Sequence, residues 1–578
     1  MTGTSAALKR AAPVPTLPRL RAPVVFGILL LLFVALAGRS LYLQWFDNAF
    51  LQGQGSARYS REIEVPAHRG RIVDRSGEAL AISTPVKSIW AFPGQVETAP
   101  EKRTLLALAL ETTPQALAKK LDDGGDFVFL AKQVPPEVAA RVAALKIAGV
   151  HDQTEYRRFY PAGETMSHIL GFTGDRDVGQ EGLELTQQEW LGGKSGSRRV
   201  IINRRGEVVE DVEAIRAPQA GRDLALAIDA RLQYLAFREL KAAVETHRAK
   251  AGGLVILDAQ SGEILALANW PTYNPNARNR VTREKMRNRA LTDVFEPGST
   301  MKPFTIASAL ESGAIRPDTV IQTAPGTLTI GPNTIHDAHR AGALTVEQVI
   351  QKSSNVGAAK IALALPPATM WQTLSDVGFG ALPNTGFPGE VAGRLRPAKT
   401  WKPIEQATMA YGHGISVNLV QLARAYTVFA SDGELKPATL LKGNGPVAGR
   451  PVMSARTAIA VRRMLELAVL PGGTAPKAQV PGYRVAGKTG TAHKLEGRGY
   501  TNKYVASFVG FAPASAPRLI VAVMIDEPST GVYYGGDVAA PVFSAVMGAA
   551  LRTLGTPPDA PLDNVILPAE DVEVKEET

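Results

Sequence analysis

The chain has 578 residues, 45% of them apolar and 20% charged, a globular balance that excludes wholesale disorder and collagen-like repeats. It contains no cysteine, which removes disulfides, thiolate metal sites, haem attachment and cysteine nucleophiles together. The net charge of +10 is uneven: residues 1–46 hold basic residues and no acid, residues 557–578 are strongly acidic, and the body between them is basic. A basic body suits anionic partners, but no Lys/Arg stripe with interleaved aromatics marks it for nucleic acid.

Residues 22–38, APVVFGILLLLFVALAG, are uncharged and mostly apolar. As a helix they span roughly 25 Å, and extension through Tyr42, Trp45 and Phe46 completes a bilayer crossing. A cleaved signal peptide is the alternative, but the run ends in Gly38-Arg39-Ser40 without a small-x-small site. The reading is an uncleaved anchor over 22–46 in the inner membrane. Lys9, Arg10, Arg19 and Arg21 hold a cytoplasmic tail, 1–21, and the remainder lies on the periplasmic side. Residues 47–222 are irregular, with strand-like Ser88–Phe92 and Arg199–Ile202, a helical piece at Pro114–Leu121 and Gly-rich turns.

The texture changes at 223. A helix begins near Asp229, with that side chain as its N-cap. A hairpin follows (GLVILD 253–258, EILALAN 263–269), then a long, mainly helical stretch. Three late strand-like runs, at 483–492, 504–513 and 519–526, precede a closing helix at about 539–553. This pattern predicts an α+β domain over 223–556, with helices packed on an antiparallel sheet. The Pro-rich acidic tail 557–578 reads as disordered.

The sharpest chemical feature is EPGSTMKPF, 296–304. Pro303 is tolerable only in a first turn, which starts a helix near Ser299. On a helix i and i+3 share a face, so the Lys302 amine reaches the Ser299 hydroxyl and, uncharged, activates it as a nucleophile. Lys488-Thr489-Gly490-Thr491 supplies a second cation and two hydroxyls for a carboxylate, with Gly490 bare where a substrate backbone would lie. Ser-x-Asn occurs twice, at Ser353/Asn355 and Ser416/Asn418. The first is preferred, because it falls on a turn between two helical patterns, where Ser353 can relay a proton and Asn355 hold a carbonyl.

In this order the three motifs resemble the penicillin-binding protein and serine β-lactamase superfamily. That resemblance implies a five-stranded antiparallel sheet with helices, a helical subdomain, and an acyl-enzyme formed by Ser299 on D-Ala-D-Ala stem peptides. It also implies Lys302 as base, Ser353 as proton shuttle, catalytic Asn355 and Lys488, and substrate binding by Thr489, Gly490 and Thr491. The oxyanion would rest on the N–H groups of Ser299 and Thr491. RGRIVDRSGEALA (69–81), RFYPAGETMSHILGFTG (158–174) and QEGLELTQQEWLGGKSG (180–196) look like the non-catalytic pedestal, or dimerisation, domain of class B penicillin-binding proteins. YGHGISVNLVQLARAYTVFASDGEL (411–435) and YYGGDVAAPVF (533–543) are most similar to the cell-division transpeptidases of that class. The implied partners are peptidoglycan stem peptides, β-lactams as covalent inhibitors, a lipid-linked peptidoglycan polymerase and the division complex; no cofactor and no metal is implied. An elongation-type transpeptidase and a membrane-anchored β-lactam sensor are the alternatives.

No Glu-x-x-x-Asn deacylation loop follows; Glu390 lacks the Asn, which favours transfer over hydrolysis. His336-Asp337-Ala338-His339 lacks the spacing of a zinc helix. His413, between two glycines, reads as structural, and Trp270 and Tyr273 read as packing.

Overall fold

The computed structural model describes residues 21–45, 60–96, 99–123, 125, 127–202, 208–279, 281–497 and 499–566. Tail 1–20 and residues 567–578 lie outside the described residues. The chain forms two compact units, Met1–Pro66 with Ser195–Pro218, and Ala67–Lys194 with Gln219–Thr578.

In the smaller unit, helix α1 (Arg21–Trp45) has 25 residues, no buried residue and a mean hydropathy of 2.4 over its most apolar window. At 1.5 Å per residue it is roughly 37 Å long, enough to cross a membrane. The same unit contains a three-stranded antiparallel sheet, Ser60–Val65, Gly196–Ile202 and Val208–Arg216, with the second strand in the middle.

The larger unit starts with a sheet built on β1 (Ile72–Val73), the long β2 (Ala79–Ala91), β3 (Val128–Val134) and β4 (Val150–Phe159), in which β2 pairs with the other three. Segment 67–194, the larger part of the expected pedestal, packs in the same compact unit as the central sheet. Polar ties made across more than 100 residues account for this. Asn276 both donates to the Tyr160 carbonyl and accepts from its N–H. The Tyr273 hydroxyl donates to Ser167 O at 3.0 Å, and His168 Nε2 lies 2.8 Å from Lys285 O. The three motifs read as pedestal meet at one buried carboxylate: Glu184 accepts from Arg69 Nε at 2.7 Å and from Arg158 Nε at 2.6 Å. Removing Glu184 there would strand two buried guanidinium charges.

Helix α2 (Ala230–Thr246) begins where predicted; the Asp229 carboxylate accepts from the N–H groups of Arg231 and Leu232. The central sheet follows from β5 (Ala251–Asp258), β6 (Ile264–Trp270), β7 (Ala486–Glu496), β8 (Gly499–Ala512) and β9 (Leu519–Asp526). Its order is β6-β5-β9-β8-β7, antiparallel throughout. β5 is buried on both faces, which explains its unbroken apolar run. Leu254 and Ile256 join the core with α2 and the closing helix Ala540–Thr553, whereas Val255 and Leu257 join the opposite core with Phe304, Val349 and Leu419. That second core is the floor of the helical subdomain.

Residues 557–566 depart from the expected disorder. Asp559 accepts from Arg484 N at 2.7 Å and Ser515 Oγ at 2.6 Å, and Asn564 accepts from Gly482 N at 3.0 Å. Two polar side chains thus satisfy backbone donors of the loop before β7, a tertiary partnership that composition does not reveal.

Candidate active site

Gly298–Met301 forms a single 3-10 turn, and α3 (Lys302–Glu311) continues from it with Pro303 in its first turn. Ser299 and Lys302 are fully buried, one turn apart. Lys302 Nζ lies 2.5 Å from Ser299 Oγ, 2.7 Å from Ser353 O, 2.9 Å from Ser353 Oγ and 2.8 Å from Asn355 Oδ1. The amine donates to all four oxygens; to act as a base it must give up one proton, which leaves N–H groups for the Ser353 and Asn355 carbonyl oxygens and a lone pair for the Ser299 hydroxyl. Thr300 and Thr305 brace the turn through Pro297 O and Ala410 O, and the Tyr426 hydroxyl donates to Thr300 O at 2.9 Å.

The structure brings Ser353 and Asn355 to Lys302. Ser353 has a φ of 58°, a left-handed turn residue between α4 (Val346–Gln351) and α5 (Asn355–Leu363). Ser416 and Asn418 serve elsewhere: Asn418 caps the helix Leu419–Ala425 and donates to Val391 O. The Ser353 turn is held by a residue that sequence reasoning missed. Asp337 Oδ2 accepts from Ser354 Oγ at 2.7 Å, its Oδ1 accepts from Val356 N at 2.9 Å, and Asn355 Nδ2 donates to His336 O at 3.0 Å. His336-Asp337 therefore aims the Ser-x-Asn turn. Asp337→Ala leaves two donors without their acceptor, at about 1–3 kcal/mol each. Acylation by penicillin is expected to fall about tenfold, with Asp337→Asn, which retains one acceptor, in between. Equal rates for all three proteins would mean that the turn holds without this carboxylate.

On the other wall, β7 is the edge strand. Lys488 is fully buried, with Nζ 3.1 Å from Thr489 Oγ1, which also meets Thr474 Oγ1 at 2.8 Å. Thr491 Oγ1 accepts from Gly535 N at 3.0 Å. Gly490 has a different reason from the one expected. A Cβ there would lie 2.6 Å from Pro297 O and 2.5 Å from Ser507 Oγ, so its bareness lets the strand approach the nucleophile turn. Gly412 does the same from the third side, where a Cβ would meet Gly298 O at 2.2 Å.

At the mouth, the Tyr500 hydroxyl donates to Glu296 at 3.0 Å and His413 stacks on Tyr500 with centroids 5.7 Å apart. Burial pushes the Glu296 carboxyl above its ordinary range. Burial also holds the His413 and His168 rings down to about 4 from 6.5. The folded state thus refuses protons that the unfolded chain accepts: this stability is complete above pH 6.5 and is lost as pH falls toward 4. At about 1.4 kcal/mol per pH unit that is roughly 3 kcal/mol for each ring. The urea midpoint of the detergent-solubilised protein should therefore drop between pH 6.5 and 4; a midpoint unchanged across that window would contradict the assignment.

Comparison with known proteins decides the family. Residues 252–548 match the penicillin-binding protein transpeptidase domain, and residues 64–226 match the penicillin-binding protein dimerisation domain. The chain belongs to the class B penicillin-binding proteins. This penicillin-binding protein is 44% identical over 539 residues to a probable peptidoglycan D,D-transpeptidase, PbpC, of Pseudomonas aeruginosa, covering 93% of this chain and 95% of that one. It is 43% identical over 549 residues to the peptidoglycan D,D-transpeptidase FtsI of Escherichia coli, covering 93% of each. A solved transpeptidase domain, that of penicillin-binding protein 3 from Burkholderia pseudomallei, is 52% identical and superposes with a TM-score of 0.54, covering 58% of this chain and 98% of that one.

Other residues singled out in the penicillin-binding protein have local duties. Glu390 accepts from Thr385 N and Oγ1. Trp270 packs against Phe237 with Lys241 over its ring, and Tyr273 packs edge-on to His168.

Proposed function

We propose that this protein cross-links stem peptides of septal peptidoglycan through a serine acyl-enzyme. The observation that carries the reading is the Lys302 amine, 2.5 Å from Ser299 Oγ and steadied by Ser353 and Asn355. Ser299 Oγ attacks the penultimate D-Ala carbonyl carbon and its proton passes to Lys302 Nζ. Ser353 Oγ relays that proton to the leaving D-Ala nitrogen as the C–N bond breaks. The oxyanion is held by the N–H groups of Ser299 and Thr491, and the terminal carboxylate by Lys488, Thr489 and Thr491 beside Gly490. An acceptor amine then attacks the ester, its proton returns to Ser299 Oγ, and the new amide leaves. A β-lactam enters by the same attack, opening its ring.

The division role rests on relatives such as FtsI, and with it come a lipid-linked polymerase and the division complex as partners. The helix α1 supports anchorage in the inner membrane, with tail 1–21 cytoplasmic, the pedestal 47–222 and the transpeptidase domain 223–556 periplasmic, and an acidic tail beyond. Transfer of a labelled D-amino acid onto a stem peptide by the wild-type protein, lost in Ser299→Ala, separates a transpeptidase from a sensor that only acylates. Depletion in cells should give filaments; rounded cells would assign the protein to elongation instead.

A further inference from the structure

A cavity of about 570 Å³ lies on the sheet just past the nucleophile. Its floor is one row of cross-strand neighbours, Ala492, Val505, Asp526 and Ala251. Its walls are the segment 293–296 that leads into Ser299, and the strand-like pair formed by Arg394 and Ser416. The strand that carries Thr491 continues along it through His493 and Leu495.

This position has a consequence for a bound donor. A peptide added antiparallel to the open edge of β7, with its acyl carbon at Ser299 beside Thr491, runs its preceding residues toward His493 and Leu495. At roughly 3.4 Å per residue with alternating side chains, one of the two residues before the acyl residue points to the face on which the cavity lies.

The charged side chains around the cavity are ion-paired or hydrogen-bonded with one exception. Asp293 pairs with Arg287 and Arg289, Lys494 with Asp526 and Glu527, and Arg396 with Glu405. Glu296 accepts from Tyr500 and from Gly414 N. Arg394 is held through its backbone, donating to Ser416 O at 2.8 Å and accepting from Ser416 N at 3.1 Å, and its guanidinium has no partner among the described residues. Arg394 is an exposed residue on the cavity wall, and an unpaired guanidinium is a fork for a carboxylate.

We propose that this cavity is the subsite for a carboxylate on one of the two residues preceding D-Ala-D-Ala in the donor stem peptide, with Arg394 as its reader. The proposal rests on the transpeptidase reading above. Two carboxylates qualify: the α-carboxylate of a γ-linked D-glutamate at the second position, and the distal carboxylate of a diamino acid at the third.

The test uses the full-length protein in detergent and thioester analogues of the stem peptide, with thiol release as the readout. The donors carry both carboxylates, only one of them (second residue amidated, or lysine at the third), or neither. Arg394→Gln is expected to lower acylation efficiency about tenfold on the donor with both, and Arg394→Lys to recover part of it. Removing the carboxylate that is read should cost the wild-type protein the same factor and erase the difference between variants, which identifies its source. Acylation by benzylpenicillin, whose side chain is uncharged, should stay within twofold in all three proteins. Equal losses on every donor, the one without either carboxylate included, or no loss on any, would overturn the proposal. Absence of penicillin uptake at Ser299 in the wild-type protein would overturn the catalytic reading itself, and the subsite with it.

Discussion

Lys302→Ala is expected to lower the second-order rate of acylation by penicillin by about 10²–10⁴, the range contributed by a positioned general base. The geometry leaves this amine between Ser299 Oγ and Ser353 Oγ, at 2.5 and 2.9 Å, so its removal takes away the proton acceptor and the link to the shuttle together. The substitution also empties a buried site and leaves the Ser353 and Asn355 oxygens without this donor. The rate should therefore be read beside the urea midpoint: a folded protein with near-normal labelling would show that another group takes the proton.

Gly490→Ala is the second large effect. The new methyl would sit 2.5 Å from Ser507 Oγ, 2.6 Å from Pro297 O and 3.0 Å from Thr300 Cγ2, all in packed surroundings. Either the strand withdraws or the nucleophile turn does, at about 1–3 kcal/mol for such overpacking. A shift of even an ångström between Ser299 and Thr491 separates attack from oxyanion support, so acylation should fall about a hundredfold. Gly499→Ala in the same hairpin is the control, since a Cβ there meets nothing within 4 Å. Wild-type acylation in Gly490→Ala would mean that strand and turn are not in the contact described.

Much of the fold was legible because its signals are local. An unbroken apolar run in GLVILD marks a strand buried on both faces, and Asp229 marks a helix start by its own capping chemistry. The Ser299–Lys302 pair is equally local, since one helical turn joins them. The preference for Ser353 over Ser416 rests on the turn between two helical patterns that carries Ser353, and the structure gives Asn418 a cap to make instead. What stayed hidden is held by partners distant in the chain. Asp337 works on Ser354, 17 residues away, and no short spacing announces it. Gly490 faces Pro297 from nearly 200 residues on, so its bareness was read as room for substrate when the strand itself needs it. Asp559 and Asn564 look like a solvated tail until the loop they cap is seen.

The most direct measurement is mass spectrometry of peptides from the detergent-solubilised protein after exposure to benzylpenicillin. The penicilloyl mass should appear on the peptide containing Ser299 and vanish in Ser299→Ala, while Asp337→Ala acquires it slowly. An unmodified Ser299 peptide in the wild-type protein, or the adduct on any other residue, would contradict the account.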